Sequence, residues 1–156
     1  AAICRYLEDI HPEPPLLGTT AEETGQIWQL ISEIDGHIRG PVADGISGPI
    51  FRGKAKSEEG AAAIKAARDP AHEALKWVEN NLAGGMYLTG DGISAADIVL
   101  LPVLQALVRS AGKEEAPALE LGILPIQQTY PNIAAWLAHI EALPGYDNSY
   151  PPHWRE

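Results

Sequence analysis

One stretch, Gly90–Arg109 (GDGISAADIVLLPVLQALVR), constrains the fold of this chain more than any other. Ser94 and Asp97 have the spacing of a capping box, in which each side chain satisfies a free backbone N–H of the other residue. Ile93 and Ile98 flank them at the two positions of a hydrophobic staple. The four residues predict the start of a helix, and we assign them a structural role with no part in chemistry.

An unbroken apolar run follows the cap. Every residue from Ile98 to Leu104 is apolar, which leaves the predicted helix without a polar face and suits an element packed on all sides. Such a short run is also typical of a buried strand, but the capping signal and the apolar residues that continue to Val108 favour a helix. Pro102 removes one backbone hydrogen bond, at a cost of about 3 kcal/mol, and is predicted to kink the helix. We therefore expect a buried central helix.

Composition narrows the class of protein. The 156 residues suffice for one domain with a sizeable core. A single cysteine, Cys4, excludes an internal disulfide framework and favours a cytoplasmic location. The formal charge of -10 disfavours nucleic acid or an anionic membrane as a partner. No apolar stretch of the sequence has the length of a membrane-spanning helix.

The N-terminal segment is predicted to be an amphipathic helix followed by a stiff connector. Residues 1–10 repeat apolar side chains at helical spacing, with no capping residue in front of the first turn. This abrupt start suggests that another element precedes it. The proline-rich residues 11–18 cannot continue a helix and are predicted to form a linker, so that the main domain covers residues 19–156.

A second capping box, Thr20 with Glu23, predicts the next helix. Gly40–Pro41 is predicted to kink or end it, with a weak helical continuation and an irregular connection over residues 42–56. Its apolar stripe consists of Ile27, Leu30, Ile31, Ile34 and Ile38.

The rest of the chain also has helical periodicity. Ser57 is predicted to cap a helix, and Asp69–Pro70 either restarts it, with Asp69 as the new cap, or kinks one long helix. A short helix is expected around residues 116–121, and Pro131 opens the last clear one. The aromatic residues of the tail, 146–156, are expected to pack back onto the helices. Since no segment alternates apolar and polar residues, we predict an all-α bundle around the central helix.

The sequence offers few candidates for chemistry. No metal is predicted, because the histidines show no metal-ligand spacing; they are His11, His37, His72, His139 and His153. Cys4 has no evident neighbouring base and is interpreted as a helix-face residue. His37 lies beside the apolar stripe near a helix end, where a titratable side chain can face a pocket; the alternative is a partly exposed histidine with no role.

Several segments, taken in order along the chain, match the pattern of one family. They are RYLE, PEPPLL, a long tryptophan-containing helix, YLTGDGISAADI and YPNIAAWLAHIEALPGY. Together they resemble the C-terminal helical domain of bacterial cytosolic glutathione S-transferases, over essentially the whole chain. The resemblance implies a cytoplasmic, dimeric detoxification enzyme with glutathione as co-substrate. It also implies that residues 1–10 are the last helix of a thioredoxin-like N-terminal domain, the rest of which this chain does not contain.

The resemblance implies a role for one residue in particular. In the beta class of these enzymes a histidine nine positions after a tryptophan faces glutathione, and Trp28 and His37 have this spacing. His37 is therefore expected to bind glutathione. The lysine that follows this histidine in some members is Ile38 here. A pocket for the hydrophobic electrophile is expected to be lined by Leu30, Ile34, Tyr150 and Trp154.

The family's thiol-activating residue and the Glu-Ser pair that holds the γ-glutamyl group belong to the absent domain. The chain alone is thus expected to have no catalytic residue and to be inactive. It would supply the electrophile pocket and, through the helices that open at Thr20 and Glu58, much of a homodimer interface. The alternatives are a non-catalytic binding or assembly module of the same fold and, less favoured, a free-standing helical bundle.

Overall fold

A computed structural model describes residues 2–90, 92–151 and 154 of the chain. Ala1, His153 and Glu156, which the sequence predictions include, lie outside the described residues. Within these ranges there is no strand, and the all-α prediction is confirmed. The α-helices are α1 (Ala2–Ile10), α2 (Ala21–Glu33), α3 (Gly48–Phe51), α4 (Glu58–Ala66), α5 (Arg68–Asn81), α6 (Ala95–Ala111), α7 (Ile126–Thr129), α8 (Pro131–Glu141) and α9 (Tyr146–Ser149). A π-helix, Ile34–Ser47, joins α2 to α3, and single 3₁₀ turns cover Lys54–Lys56, Leu82–Gly84 and Ala116–Leu119.

Helix α6 is the central helix of the bundle, as predicted, but the expectation that it is packed on all sides is wrong, because Ile98 and Pro102 are exposed. Ala96, Leu100, Leu104 and Leu107 have no exposed surface, and the helix packs against α2 and the π-helix. It continues without a break through Pro102, which lies on its exposed face. The buried residues on both sides of Pro102, Leu100 and Val103, hold this part of the helix against the core, which offsets the hydrogen bond that the proline removes.

The helix that begins at α2 does not end at Gly40–Pro41, which was one of the two predicted outcomes. The expected helical continuation is present: the chain passes through the π-helix and joins α3 directly. Pro41 has no N–H to donate to an α-helical hydrogen bond. In the wider turn the bonds run from residue i to i−5, as from the Gly48 N–H to the Ala43 carbonyl. The buried side chains of Ile34 and Ile38 hold this segment against the core.

The caps of the shorter helices follow the predictions in part. Thr20 Oγ1 and Ser57 Oγ each accept the backbone N–H of the third following residue, at 3.2 and 3.1 Å. The prediction of Asp69 as a cap is wrong, because α5 already begins at Arg68. Asp69 lies instead in the first turn of α5, where a carboxylate interacts favourably with the helix dipole.

Helix α1 forms as predicted, but its apolar face is open. Ile3, Tyr6, Leu7 and Ile10 are between 48% and 75% exposed. None of the described residues covers this face. No helix within the described ranges, α1 included, combines the length and apolar character needed to cross a membrane.

Candidate functional site

The first turn of α6 is built around the buried carboxylate of Asp97. The backbone N–H and the hydroxyl of Ser94 donate to its Oδ2 atom, at 2.9 and 2.8 Å. The Leu88 N–H and the indole Nε1–H of Trp136 donate to Oδ1, both at 3.0 Å. Asp97 is 1% exposed, and these four donors compensate the cost of burying its charge. The capping box is present, and it fixes the point at which α6 begins.

An apolar cavity of about 470 Å³ lies between α6, the end of α8 and the C-terminal tail; we call it the tail cavity. Tyr150 and Trp154, the two tail residues that the resemblance assigns to a pocket, both line it. Ile93 and Ile98 form part of its wall, and Ile98 is 48% exposed. The other lining residues are Leu101, Pro102, Gln105, Ile140, Leu143, Pro144, Tyr146, Ser149 and Pro151.

Most polar side chains around the tail cavity are bonded to one another. The Gln105 amide donates to the Tyr146 hydroxyl and to Glu141 Oε1, the latter at 3.3 Å. The Ser149 hydroxyl donates to the Tyr146 carbonyl at 2.7 Å. Burial raises the pKa of Tyr146 above its ordinary value. The cavity therefore presents a mainly apolar surface, which suits an apolar guest.

Three aromatic rings of the C-terminal tail form a ladder along this cavity. The ring centres of Tyr146 and Tyr150 are 6.0 Å apart, and those of Tyr150 and Trp154 are 5.6 Å apart and nearly perpendicular. The Arg109 guanidinium lies 4.0 Å from the Trp154 ring centre. These edge-to-face and cation–π contacts anchor the tail on α6, as its aromatic content predicts.

The remaining predicted site residues lie elsewhere. Leu30 and Ile34 are 7% and 0% exposed and belong to the core, so they line neither the tail cavity nor the second cavity described below. His37 is exposed on the π-helix. The structure therefore brings Tyr150 and Trp154 together at the tail cavity. Leu30, Ile34 and His37 lie elsewhere, in α2 and the π-helix.

A second cavity, of about 360 Å³, lies between α1, the linker and the start of α6; we call it the α1 cavity. Cys4, Leu7 and His11 line it from one side, and Ile98 separates it from the tail cavity. The Glu8 carboxylate at its edge accepts the N–H groups of Leu16 and Leu17, at 3.2 and 2.9 Å, which ties α1 to the linker.

One half-buried polar network has no signal in the sequence. His72 Nε2 lies 2.7 Å from the Leu121 carbonyl, which can only accept, so Nε2 carries the proton and Nδ1 accepts the Tyr130 hydroxyl. Burial, with smaller contributions from Glu79 and Glu73, raises the pKa of Tyr130 to about 12. The network joins α5 to the chain before α8. Within the described residues, no group of three or more His, Cys, Asp or Glu side chains is placed to hold a metal ion.

The described residues define a class of protein: an all-α domain built on a buried, capped helix with an apolar cavity at its side. The sequence model described as "Glutathione S-transferase, C-terminal domain" matches residues 61–139. The chain therefore belongs to the family of glutathione S-transferase C-terminal domains.

Individual relatives agree with this assignment. The chain is 31% identical over 114 residues to glutathione S-transferase F10 of Arabidopsis thaliana. These 114 residues cover 72% of this chain and 53% of the plant protein. Glutathione transferase F2 of Populus trichocarpa has the same fold, with a TM-score of 0.73 at 20% identity over 94% of this chain and 65% of its own. A glutathione S-transferase of Methylobacterium radiotolerans, solved with glutathione sulfonate, has a TM-score of 0.65 at 22% identity. The match covers 96% of this chain and 64% of the bacterial protein. The chain thus spans about half the length of the curated relative.

Proposed function

We propose that this chain is the helical portion of a glutathione transferase that conjugates glutathione to hydrophobic electrophiles, and that the tail cavity receives the electrophile. The observation that carries the proposal is a mainly apolar cavity in a chain of this family. Its volume falls within the range of small-molecule sites, about 300–1,000 Å³. Aromatic faces and aliphatic walls suit a planar apolar guest such as an aryl halide.

Glutathione is the co-substrate in this proposal, and the parent protein is the transferase. The described residues do not by themselves fit glutathione, since His37 is exposed and lines neither cavity. A thiol becomes a good nucleophile only as the thiolate, and no residue of this chain is assigned to stabilise it. His37 contributes one contact to glutathione in the parent protein, and this chain alone is inactive.

The open face of α1 supports a covalently linked thioredoxin-like domain as the neighbour of this chain. Four apolar side chains on one helix face have no cover, and a contiguous exposed apolar patch commonly marks an interaction surface. The parent protein forms a homodimer through α2 and α4, which begin after the caps at Thr20 and Ser57; this part of the proposal rests on the family alone.

The tail cavity is tested by binding of 1-chloro-2,4-dinitrobenzene without glutathione, followed by quenching of tryptophan fluorescence, because Trp154 lines the cavity. Leu143→Phe adds bulk inside the cavity and is expected to weaken binding about tenfold or more. Leu124→Phe adds the same bulk at a position that is 40% exposed and outside this cavity, and it should bind as the unchanged chain does.

Two outcomes would count against the proposal. If Leu143→Phe binds normally and Leu7→Phe does not, the electrophile enters the α1 cavity instead. If the unchanged chain binds no aryl halide at all, the non-catalytic binding or assembly module becomes the better interpretation. The coding sequence upstream of Ala1 gives a separate check, since a thioredoxin-like segment with a thiol-activating residue is required for the enzyme.

A further inference from the structure

A third cavity, of about 160 Å³, lies beside the tail cavity; we call it the Arg109 cavity. Gln105, Tyr150 and Trp154 line both cavities, so these three side chains form the wall between them. The other lining residues are Val108, Arg109, Leu137 and Glu141. Both cavities are open to solvent on one side, and a ligand can therefore extend from one into the other across this wall.

One face of α6 forms the floor of both cavities. The lining residues recur every three or four positions, which places them on one side of a helix; they are Ile98, Leu101, Pro102, Gln105, Val108 and Arg109. From Ile98 to Arg109 the face is about 16 Å long, at a rise of about 1.5 Å per residue. It is apolar at Ile98 and positively charged at Arg109. An elongated ligand with an apolar body and a charged end matches this order.

The Arg109 guanidinium is held in place without using its hydrogen-bond donors. Its central carbon lies 4.0 Å from the ring centre of Trp154 and 5.5 Å from that of Phe51, and both distances are within the range of cation–π attraction. Within the described residues, no hydrogen bond or ion pair involves this guanidinium. An arginine side chain presents donors that match a carboxylate with two parallel hydrogen bonds. Arg109, which is half-buried, is therefore positioned to receive a carboxylate.

Glu141 is the acidic residue among those that line the Arg109 cavity. Its carboxylate accepts the Gln105 amide at 3.3 Å and interacts with the Tyr146 phenol. None of the described ion pairs joins it to Arg109. Because Glu141 is exposed, water and salt screen its repulsion of a bound anion. Glu141 therefore lowers the affinity of this cavity for a carboxylate without neutralising Arg109.

We propose that the Arg109 cavity binds the carboxylate of an electrophile whose apolar body lies in the tail cavity. The substrate class is thus an apolar electrophile with a carboxylate at one end, and this inference rests on the proposed function in placing the body. Charge-assisted hydrogen bonds from a guanidinium that is ordered in advance suit such a group. The formal charge of -10 repels anions from the protein as a whole, so a preference for a carboxylate has to arise locally.

The test uses the whole chain and a matched pair of probes, 4-phenylbutanoate and 4-phenylbutan-1-ol, which differ only in the end group. Calorimetry at pH 7 and low ionic strength measures the affinity for each probe. The carboxylate should bind about tenfold more tightly than the alcohol. Equal affinities, or tighter binding of the alcohol, would overturn the inference. If 1-chloro-2,4-dinitrobenzene still binds in the tail cavity in that case, the proposed function stands and only the recognition of a carboxylate fails.

Two substitutions in the Arg109 cavity should act in opposite directions. Arg109→Gln should weaken binding of 4-phenylbutanoate about tenfold and change that of the alcohol less than about twofold. Glu141→Gln removes the opposing charge, so it should strengthen binding of the carboxylate by about twofold or more and leave the alcohol unchanged. Lys65→Gln is the matched control, because it removes one positive charge at an exposed position outside the three cavities. It should leave both affinities within about twofold of those of the unchanged chain.

Three results would contradict the inference. An equal loss of both probes in Arg109→Gln would mean that Arg109 only anchors the tail through Trp154. An unchanged affinity of Glu141→Gln for the carboxylate would mean that the charged end binds elsewhere, and this variant decides the question if Arg109→Gln does not fold. Leu143→Phe adds bulk inside the tail cavity and should weaken both probes alike. If it weakens only the alcohol, the apolar body of the carboxylate does not lie in the tail cavity.

Discussion

The indole N–H of Trp136, on α8, donates to Oδ1 of Asp97, in the first turn of α6, at 3.0 Å. The two residues are 39 positions apart in the chain. Asp97 thereby serves both as the helix cap and as the buried acceptor that attaches α8 to the central helix. Both residues are almost fully buried, at 1% and 3% exposure.

Asp97→Ala is expected to lower the free energy of unfolding by about 3 kcal/mol or more, because it removes a cap and leaves buried N–H donors unpaired. Asp97→Asn should be nearly as damaging, since an amide has one oxygen for four donors. Trp136→Phe removes a single donor and should cost less than either. Urea unfolding of the three variants checks this order. Thr20→Ala, which removes an exposed cap, should lower the free energy of unfolding by about 1 kcal/mol. If Asp97→Ala lowers it by no more than this, the Asp97 carboxylate does not stabilise the contact between α6 and α8.

Two of the partners of Asp97, Ser94 and Trp136, differ in how far a sequence can predict them. The capping box involves residues three positions apart, so its spacing is visible in the chain and the prediction is confirmed. The contact with Trp136 depends on how α8 packs against α6, and no local pattern encodes it. The His72–Tyr130 bond, between residues 58 positions apart, was missed for the same physical reason.

Tyr130 should make the stability of the fold sensitive to alkaline pH. Its pKa is about 12 in the folded state and about 10 in an unfolded chain. Below pH 10 the Tyr130 phenol is protonated in both the folded and the unfolded state, so the free energy of unfolding does not change with the titration of this group. Between pH 10 and 12 the unfolded state loses its proton first, so stability falls as pH rises, by at most about 2 kcal/mol once solvent screening is allowed for.

The measurement is urea unfolding from pH 9 to 11.5, with Tyr130→Phe as the comparison. The variant should be less stable at pH 9, by about 1 kcal/mol, because it lacks the hydrogen bond to His72. It should also lose less stability than the unchanged chain as the pH rises. Parallel curves for the two proteins would show that Tyr130 does not titrate in this way.

Pro102→Ala should stabilise the protein. Pro102 is exposed within α6, and alanine restores an N–H that can bond to the carbonyl one turn earlier. The expected gain is about 1–3 kcal/mol, since proline is about 3 kcal/mol less favourable than alanine in a helix interior. Pro131→Ala is the matched control, because Pro131 is the first residue of α8, where proline carries no such penalty. A gain at both positions, or at neither, would contradict this account of α6.

The π-helix shows why the site was harder to predict than the fold. Helical periodicity correctly predicts the buried stripe that contains Leu30 and Ile34, but it does not distinguish a side chain that faces the core from one that faces a cavity. The two residues are in the core. The resemblance assigns Tyr150 and Trp154 to the pocket, and both line the tail cavity. The aromatic content of the tail predicts only that these rings pack against an apolar surface.

His37→Ala in the parent protein is expected to weaken glutathione binding about tenfold, which corresponds to the loss of one hydrogen bond to a charged ligand. His37 is exposed on the π-helix, so the change should leave the thermal unfolding midpoint unaltered. Gln29→Ala is the matched control, as Gln29 is also exposed, carries no charge and precedes the π-helix by little more than one turn. Calorimetric titration with glutathione measures both variants. If His37→Ala, Gln29→Ala and the unchanged protein bind glutathione with equal affinity, His37 does not contact glutathione, although it has the family's spacing from Trp28. The helical portion would then contribute to catalysis only through the tail cavity.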